Sequence, residues 1–274
     1  MQPNPSKNTG SPDRDTVPRD RMHRERSILW PVLLASWVVS FSIAWTHETV
    51  ALQDSSPVFG ITDPETQSFL EPFRKAAMEW EKDVEKLSAT NDTAGSNDTI
   101  VCLGSSSFRI WDTIDSDMAP YRMVRRAYGS ARYRDLAIYT PKLIHNLAFS
   151  KAMVFIGNDI VGKDLDVTPE TVGKLARIVV GSILKEQPNA SVYLIAVTPT
   201  PSRFRLWDKI QLVNQQLEQI ASEQTQVHFI PTANAFLSAD GQPIEGYFKS
   251  DKLHLNEEGY RVWSEILKKH LGEP

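Results

Sequence analysis

A chain of 274 residues, 41% of them hydrophobic, can bury one sizeable core plus extensions but not two large ones. Its formal net charge of −4 leaves no electrostatic footprint for a nucleic-acid partner. The single cysteine, Cys102, excludes an internal disulfide and a two-cysteine metal site, and reads as a small buried apolar filler.

Taken in order, residues 1–27 are rich in Pro, Ser, Asn, Asp and Arg without apolar periodicity, as expected of a disordered tail. Residues 28–45 follow with no charged side chain, about the minimum length for a membrane helix, with Trp30 and Trp45 near its ends. Arg19, Arg21, Arg24 and Arg26 precede this run, whereas Glu48 and Asp54 follow it. That asymmetry predicts a cytoplasmic tail, a single transmembrane signal-anchor, and a chain that lies outside the cytoplasm after Trp45. No small-x-small cleavage site follows directly, so an anchor is favoured over a signal peptide; cleavage would make the remainder a secreted protein.

Residues 46–99 read as a connector carrying one amphipathic helix over about 63–87. Asp63-Pro64-Glu65 supplies an N-cap carboxylate, a proline at the first helical position and an acid in the first turn. Phe69, Phe73, Ala76, Ala77 and Trp80 then recur at helical spacing. Residues 89–99 form a predicted loop in which Asn91 and Asn97 fit the glycosylation acceptor pattern, as Asn189 does later.

From residue 100 to the end, short apolar runs alternate with helical patterns. The runs fall at 100–103, 123–127, 152–156, 192–197 and 227–230, the second interrupted by Arg125 and Arg126. Helical patterns fall at 136–147, 169–185, 206–221 and 257–271. Strand, helix, strand at this spacing predicts right-handed βαβ units and an α/β domain with a parallel sheet covered on both faces.

Ligands in such sheets bind at the carboxyl ends of the strands. The segments following the runs are Gly104-Ser105-Ser106-Ser107, Tyr128-Gly129-Ser130, Gly157-Asn158-Asp159 and 198–203, with Asp251-Lys252-Leu253-His254 before the last helix. Each has an ordinary reading: serines cap helices, Asn-Asp pairs make turns, and Thr198-Pro199-Thr200-Pro201 makes a rigid pocket wall. Together they hold what acyl transfer by a serine requires. A serine hydroxyl needs an imidazole to take its proton, and the imidazole needs a carboxylate to hold its tautomer. The developing oxyanion needs fixed N–H donors. Among the six histidines only His254 sits in a loop before a helix with an acid three residues earlier.

Residues 100–271 resemble the SGNH, or GDSL-type, hydrolase family. The family's Gly-Asp-Ser block corresponds to Gly104-Ser105-Ser106, with Ser105 in place of aspartate, and assigns the nucleophile to Ser106. Ser107 remains able to cap the helix that follows. The second block, whose glycine N–H enters the oxyanion hole, corresponds to Tyr128-Gly129-Ser130, with either Gly129 or Ser130 as donor. Gly-x-Asn-Asp appears shortened as Gly157-Asn158-Asp159, which carries the asparagine donor onto Asn158. Asp-x-x-His is Asp251 to His254. The resemblance implies a flavodoxin-like three-layer α/β/α domain over 100–274 acting as a serine esterase. Its oxyanion hole would be built from Ser106, Gly129 or Ser130, and Asn158. It implies no metal or organic cofactor, and a substrate that is a small acyl ester, a lipid or an acylated glycan. The alternatives are an inactive binding domain of the same fold and an O-acyltransferase using the same residues.

Overall fold

The computed structural model describes residues 63–272, all within one compact unit. Three helices come first: α1 (Pro64–Ala77), α2 (Glu81–Ser88) and the short α3 (Asn91–Ala94). Strand β1 (Thr99–Gly104) leads into α4 (Ser106–Arg109) and α5 (Ile114–Asp117). Next come β2 (Arg122–Ala127), α6 (Tyr133–Ile144), β3 (Lys151–Phe155), α7 (Pro169–Glu186) and β4 (Ser191–Ile195). The chain ends with α8 (Trp207–Glu223), β5 (Val227–Ile230) and α9 (Glu257–Leu271). The five strands form a wholly parallel sheet in the order β2-β1-β3-β4-β5.

Alternation along the strands sends successive side chains to opposite faces, and each face has its own core. Val101, Leu103, Val154 and Leu194 pack with Leu136, Val179 and Leu217 from α6, α7 and α8. Ile100, Cys102, Met153 and Ile195 pack on the other side with Phe108, Trp111, Trp263 and Leu267. Cys102 is fully buried there, and burial pushes its thiol far above the ordinary range, so it serves as an apolar filler.

Local differences from the expected elements have identifiable causes. β2 tolerates Arg125 and Arg126 because it is an edge strand whose guanidinium groups find oxygen acceptors. Arg126 donates to Asn91 Oδ1 at 2.8 Å, and Arg125 donates to the Trp111 carbonyl at 3.1 Å. β4 ends at Ile195 although the apolar run continues, because Asn214 takes over both backbone groups of Val197. Helix α6 starts three residues earlier than its apolar stripe suggests, since Asp135 at the third helical position accepts the Arg132 N–H at 2.9 Å.

The helix expected over 63–87 is two helices separated by a 3-10 turn at Met78–Trp80, where the Trp80 ring lies against Tyr128. Its start is as expected, with Asp63 accepting the Thr66 N–H at 2.8 Å. Leu70 and Val84 are fully buried in the same core as α6, so this stretch packs as part of the unit. The predicted loop at 89–99 contains α3, and Asn91 within it is only 5% exposed. Its amide donates to the Lys142 and His145 carbonyls, so a glycan at Asn91 is incompatible with the fold, whereas Asn97 and Asn189 are exposed. Among the described residues no helix is long and apolar enough to cross a membrane. The run at 28–45 expected to do so, and the tail before it, lie outside the described residues.

Candidate active site

The site begins where β1 stops. A Cβ on Gly104 would meet the Phe155 carbonyl oxygen of β3 at 2.4 Å, so only glycine lets the two strand ends approach this closely. Ser105 is extended, buried and occupies the cap position of α4, without a side-chain capping bond. Ser107, expected as the cap, lies instead inside the first turn, where its carbonyl accepts the Tyr260 hydroxyl at 2.8 Å. Ser106 opens α4, with its side chain half-buried and its N–H in the first turn, where no intrahelical acceptor is available.

The second component comes from the loop before α9. The Phe248–Leu255 bridge and the Lys249 N–H to His254 carbonyl bond at 2.7 Å close this loop. Lys252 takes a φ of 55° at its tip. Asp251 Oδ1 accepts the N–H groups of Leu253 and His254, both at 2.9 Å. Asp251 Oδ2 is thereby aimed at His254 Nδ1, 2.6 Å away. His254 Nε2 lies 2.9 Å from Ser106 Oγ, a contact that spans 148 positions in the chain. With its Nδ1 proton on the carboxylate side, the imidazole presents Nε2 as acceptor for the Ser106 hydroxyl. Burial tends to raise the Asp251 carboxyl, but hydrogen bonds from the His254 ring and from the backbone of His254 and Leu253 outweigh it and bring it down to about 2. Asp251 therefore stays anionic throughout the neutral and mildly acid range, losing its charge and its stabilising bonds only as pH falls towards about 2.

Asn158 stands at the end of β3. Its Nδ2 donates to the Ala131 carbonyl at 3.0 Å, and its Oδ1 accepts from Arg203 Nη2 at 3.0 Å. A guanidinium can only donate, so the atom facing Arg203 is the amide oxygen, and one amide hydrogen is left over after the Ala131 bond. Ser106, Asn158 and His254 line one cavity of about 40 Å³ together with Thr198, Thr200, Arg203, Phe155 and Leu253. Thr198 and Thr200 thus form part of the wall, as the proline-bracketed turn suggested. Gly129 and Ser130 are not among the lining residues. Ser130 is exposed with a φ of 57°, and Gly129 packs near the Arg109 guanidinium.

Two residues at this edge have environments that spacing could not reveal. Arg203 reaches back from the β4 side to the Gly157 carbonyl at 2.5 Å as well as to Asn158. Its only signal was its position after a strand end. Asp159, which read as half of a turn pair, is 3% exposed and accepts the Tyr133 N–H at the start of α6 at 3.1 Å. Burial, partly offset by that N–H and by the Arg132 charge, pushes its carboxyl up to about 7. A value raised above the unfolded one contributes stability that is complete below about pH 4 and is lost as pH rises through about 7. Asp159→Asn is accordingly expected to flatten the fall in urea stability between pH 5 and pH 8, by something on the order of 1–4 kcal/mol. Equal pH slopes in the two proteins would show that Asp159 is not the group responsible.

The GDSL-like Lipase/Acylhydrolase family model matches residues 93–262. None of the curated protein sequences matches the chain. Among solved structures, a provisionally assigned platelet activating factor from Streptococcus pneumonia superposes with a TM-score of 0.64 at 22% identity, covering 77% of this chain and 100% of that one. A GDSL-like lipase from Bacteroides thetaiotaomicron gives 0.54 at 16% identity, over 74% of this chain and 96% of its own. An acetyl-xylooligosaccharide esterase from Geobacillus stearmophilus gives 0.50 at 16%, over 66% and 96%. At these identities the superpositions speak for the fold alone.

Proposed function

Because the chain belongs to the GDSL-like lipase/acylhydrolase family, we propose that it is a serine hydrolase that cleaves carboxylic esters of small acyl groups through an acyl-enzyme. The observation that carries this reading is the continuous hydrogen-bonded chain from Asp251 Oδ2 through His254 to Ser106 Oγ, at 2.6 and 2.9 Å. Ser106 Oγ attacks the ester carbonyl as its proton passes to His254 Nε2, and the imidazolium is stabilised by Asp251. His254 then returns the proton to the departing alcohol. Water, deprotonated by the same nitrogen, attacks the acyl-enzyme and releases the acid and free Ser106.

The oxyanion forms beside the Ser106 N–H and the spare amide hydrogen of Asn158. The Gly129–Ser130 turn, the third donor by resemblance, does not line the cavity but is tied to this edge through Ala131, whose carbonyl holds the Asn158 amide. A cavity of about 40 Å³ suits an acetyl-sized group better than a long acyl chain.

A fluorophosphonate probe tests the reading directly. Intact mass should rise by one phosphonyl adduct, and peptide mapping should locate it on Ser106, in a protein that also releases acetate from para-nitrophenyl acetate. A folded protein with neither adduct nor turnover would overturn it.

A further inference from the structure

Arg203, half-buried in the wall of the Ser106 cavity, has no anionic partner among the described residues. Its two hydrogen bonds go to neutral oxygens, the Gly157 carbonyl and the Asn158 amide oxygen. Among the described residues no carboxylate lies within salt-bridge distance of it. Asp166, the acid that bears on it electrostatically, is already engaged by the N–H groups of Val161 and Gly162, and Arg132 adds like charge nearby. A guanidinium offers five N–H donors, so more remain than the clamp on Asn158 uses. That clamp needs hydrogen bonds, not charge. A cavity wall that keeps a half-buried guanidinium with spare donors and no carboxylate partner suits an acceptor carrying negative charge.

We infer that Arg203 forms a subsite for an anionic oxygen group, a carboxylate or a phosphate, borne by the ester close to its scissile bond. The inference rests on the hydrolase reading and sharpens it: the preferred substrate is an acidic ester rather than a neutral lipid-like one. The guanidinium supplies charge-assisted N–H donors. Phe155, Val197 and Leu253 add apolar surface to the same cavity.

The test compares a carboxylate ester (acetoxyacetate), a phosphate ester (acetoxyethyl phosphate) and a neutral ester of similar size (methyl acetoxyacetate) by acetate release. An acyl-side pair, mono-para-nitrophenyl succinate and para-nitrophenyl butanoate, covers the other orientation. The wild type should show kcat/KM at least about tenfold higher for a charged ester than for its neutral counterpart, with the better of carboxylate and phosphate identifying the ligand. Arg203→Gln should bring that ratio close to one, whereas Thr198→Val, which removes a hydroxyl closed off from the cavity, should leave it unchanged. Because Arg203 also holds Asn158, the ratio is the readout and not the absolute rate. A wild-type ratio near one, with the neutral esters turned over and Ser106 labelled by fluorophosphonate, would overturn the subsite and leave the hydrolase standing. Equal loss on charged and neutral esters in Arg203→Gln would reduce Arg203 to a support of the loop and would overturn it too. If no ester is turned over and no adduct forms, the hydrolase reading fails and takes the subsite with it.

Discussion

Ser106→Ala is expected to lower kcat for an acetyl ester by about 10⁴- to 10⁶-fold while changing KM little. Removal of the hydroxyl takes away the atom that would form the acyl-enzyme, yet leaves His254, Asp251 and the N–H donors where they are. The residual rate should therefore still exceed that of the uncatalysed reaction, through binding and oxyanion stabilisation. Stability should change by less than about 1 kcal/mol, because the Ser106 side chain is half-buried and its one hydrogen bond is to a solvent-accessible imidazole. His254→Ala should cost almost as much, and the double variant little more than either alone, since residues that act as a unit do not add. A Ser106→Ala protein that kept a tenth of the wild-type rate would end the acyl-enzyme mechanism. Neither the fold nor the family requires that outcome; it depends on the chain of contacts from Asp251 to Ser106.

That chain of contacts shows why some of this site was legible in the sequence and some was not. Parallel strands all deliver their loops to one edge, so hydroxyl, amide and Asp/His segments following successive apolar runs had to converge there. The glycine ending β1 was legible for the same reason, as a strand ended by a residue without a side chain. What remained hidden depended on contacts between segments far apart in sequence. Asn214 shortens β4 from 17 residues away, and Arg126 is accommodated in an edge strand by Asn91, 35 residues earlier. The end of α6 illustrates the limit of periodicity. Leu143, Ile144 and Leu147 are all buried as the apolar pattern suggests, but the helix stops at Ile144 because Asn146 turns into the left-handed region at φ 61°. Arg203 was the costliest omission. Its sequence neighbourhood is a proline-rich turn, and only the fold brings its guanidinium against a carbonyl and an amide 46 and 45 positions earlier.

Trp263→Ala is expected to destabilise the protein by about 3–5 kcal/mol, the largest stability effect anticipated at a single site. The indole is fully buried at the centre of the aromatic cluster on the α4 and α9 side of the sheet. Its ring centroid lies 4.9 Å from Phe155, 5.4 Å from Phe108 and 5.4 Å from Trp111. Phe108 belongs to the same short helix as Ser106, and Trp263 itself lines the cavity. Helix α4 has only four residues and too few internal hydrogen bonds to hold itself, so its position depends on this packing. The cavity left by alanine should consequently lower activity in the fraction that remains folded, because the Ser106 to His254 distance is no longer enforced. Trp263→Phe separates volume from polarity. The indole N–H is buried without an acceptor, so phenylalanine loses ring volume but also removes an unsatisfied donor whose burial costs about 1–3 kcal/mol. The phenylalanine variant should therefore lie much closer to wild type than to the alanine variant in urea midpoint, with most of its activity retained. If phenylalanine proved as damaging as alanine, the indole N–H would have to be making a bond that matters, and the packing account of how α4 is held would have to be abandoned.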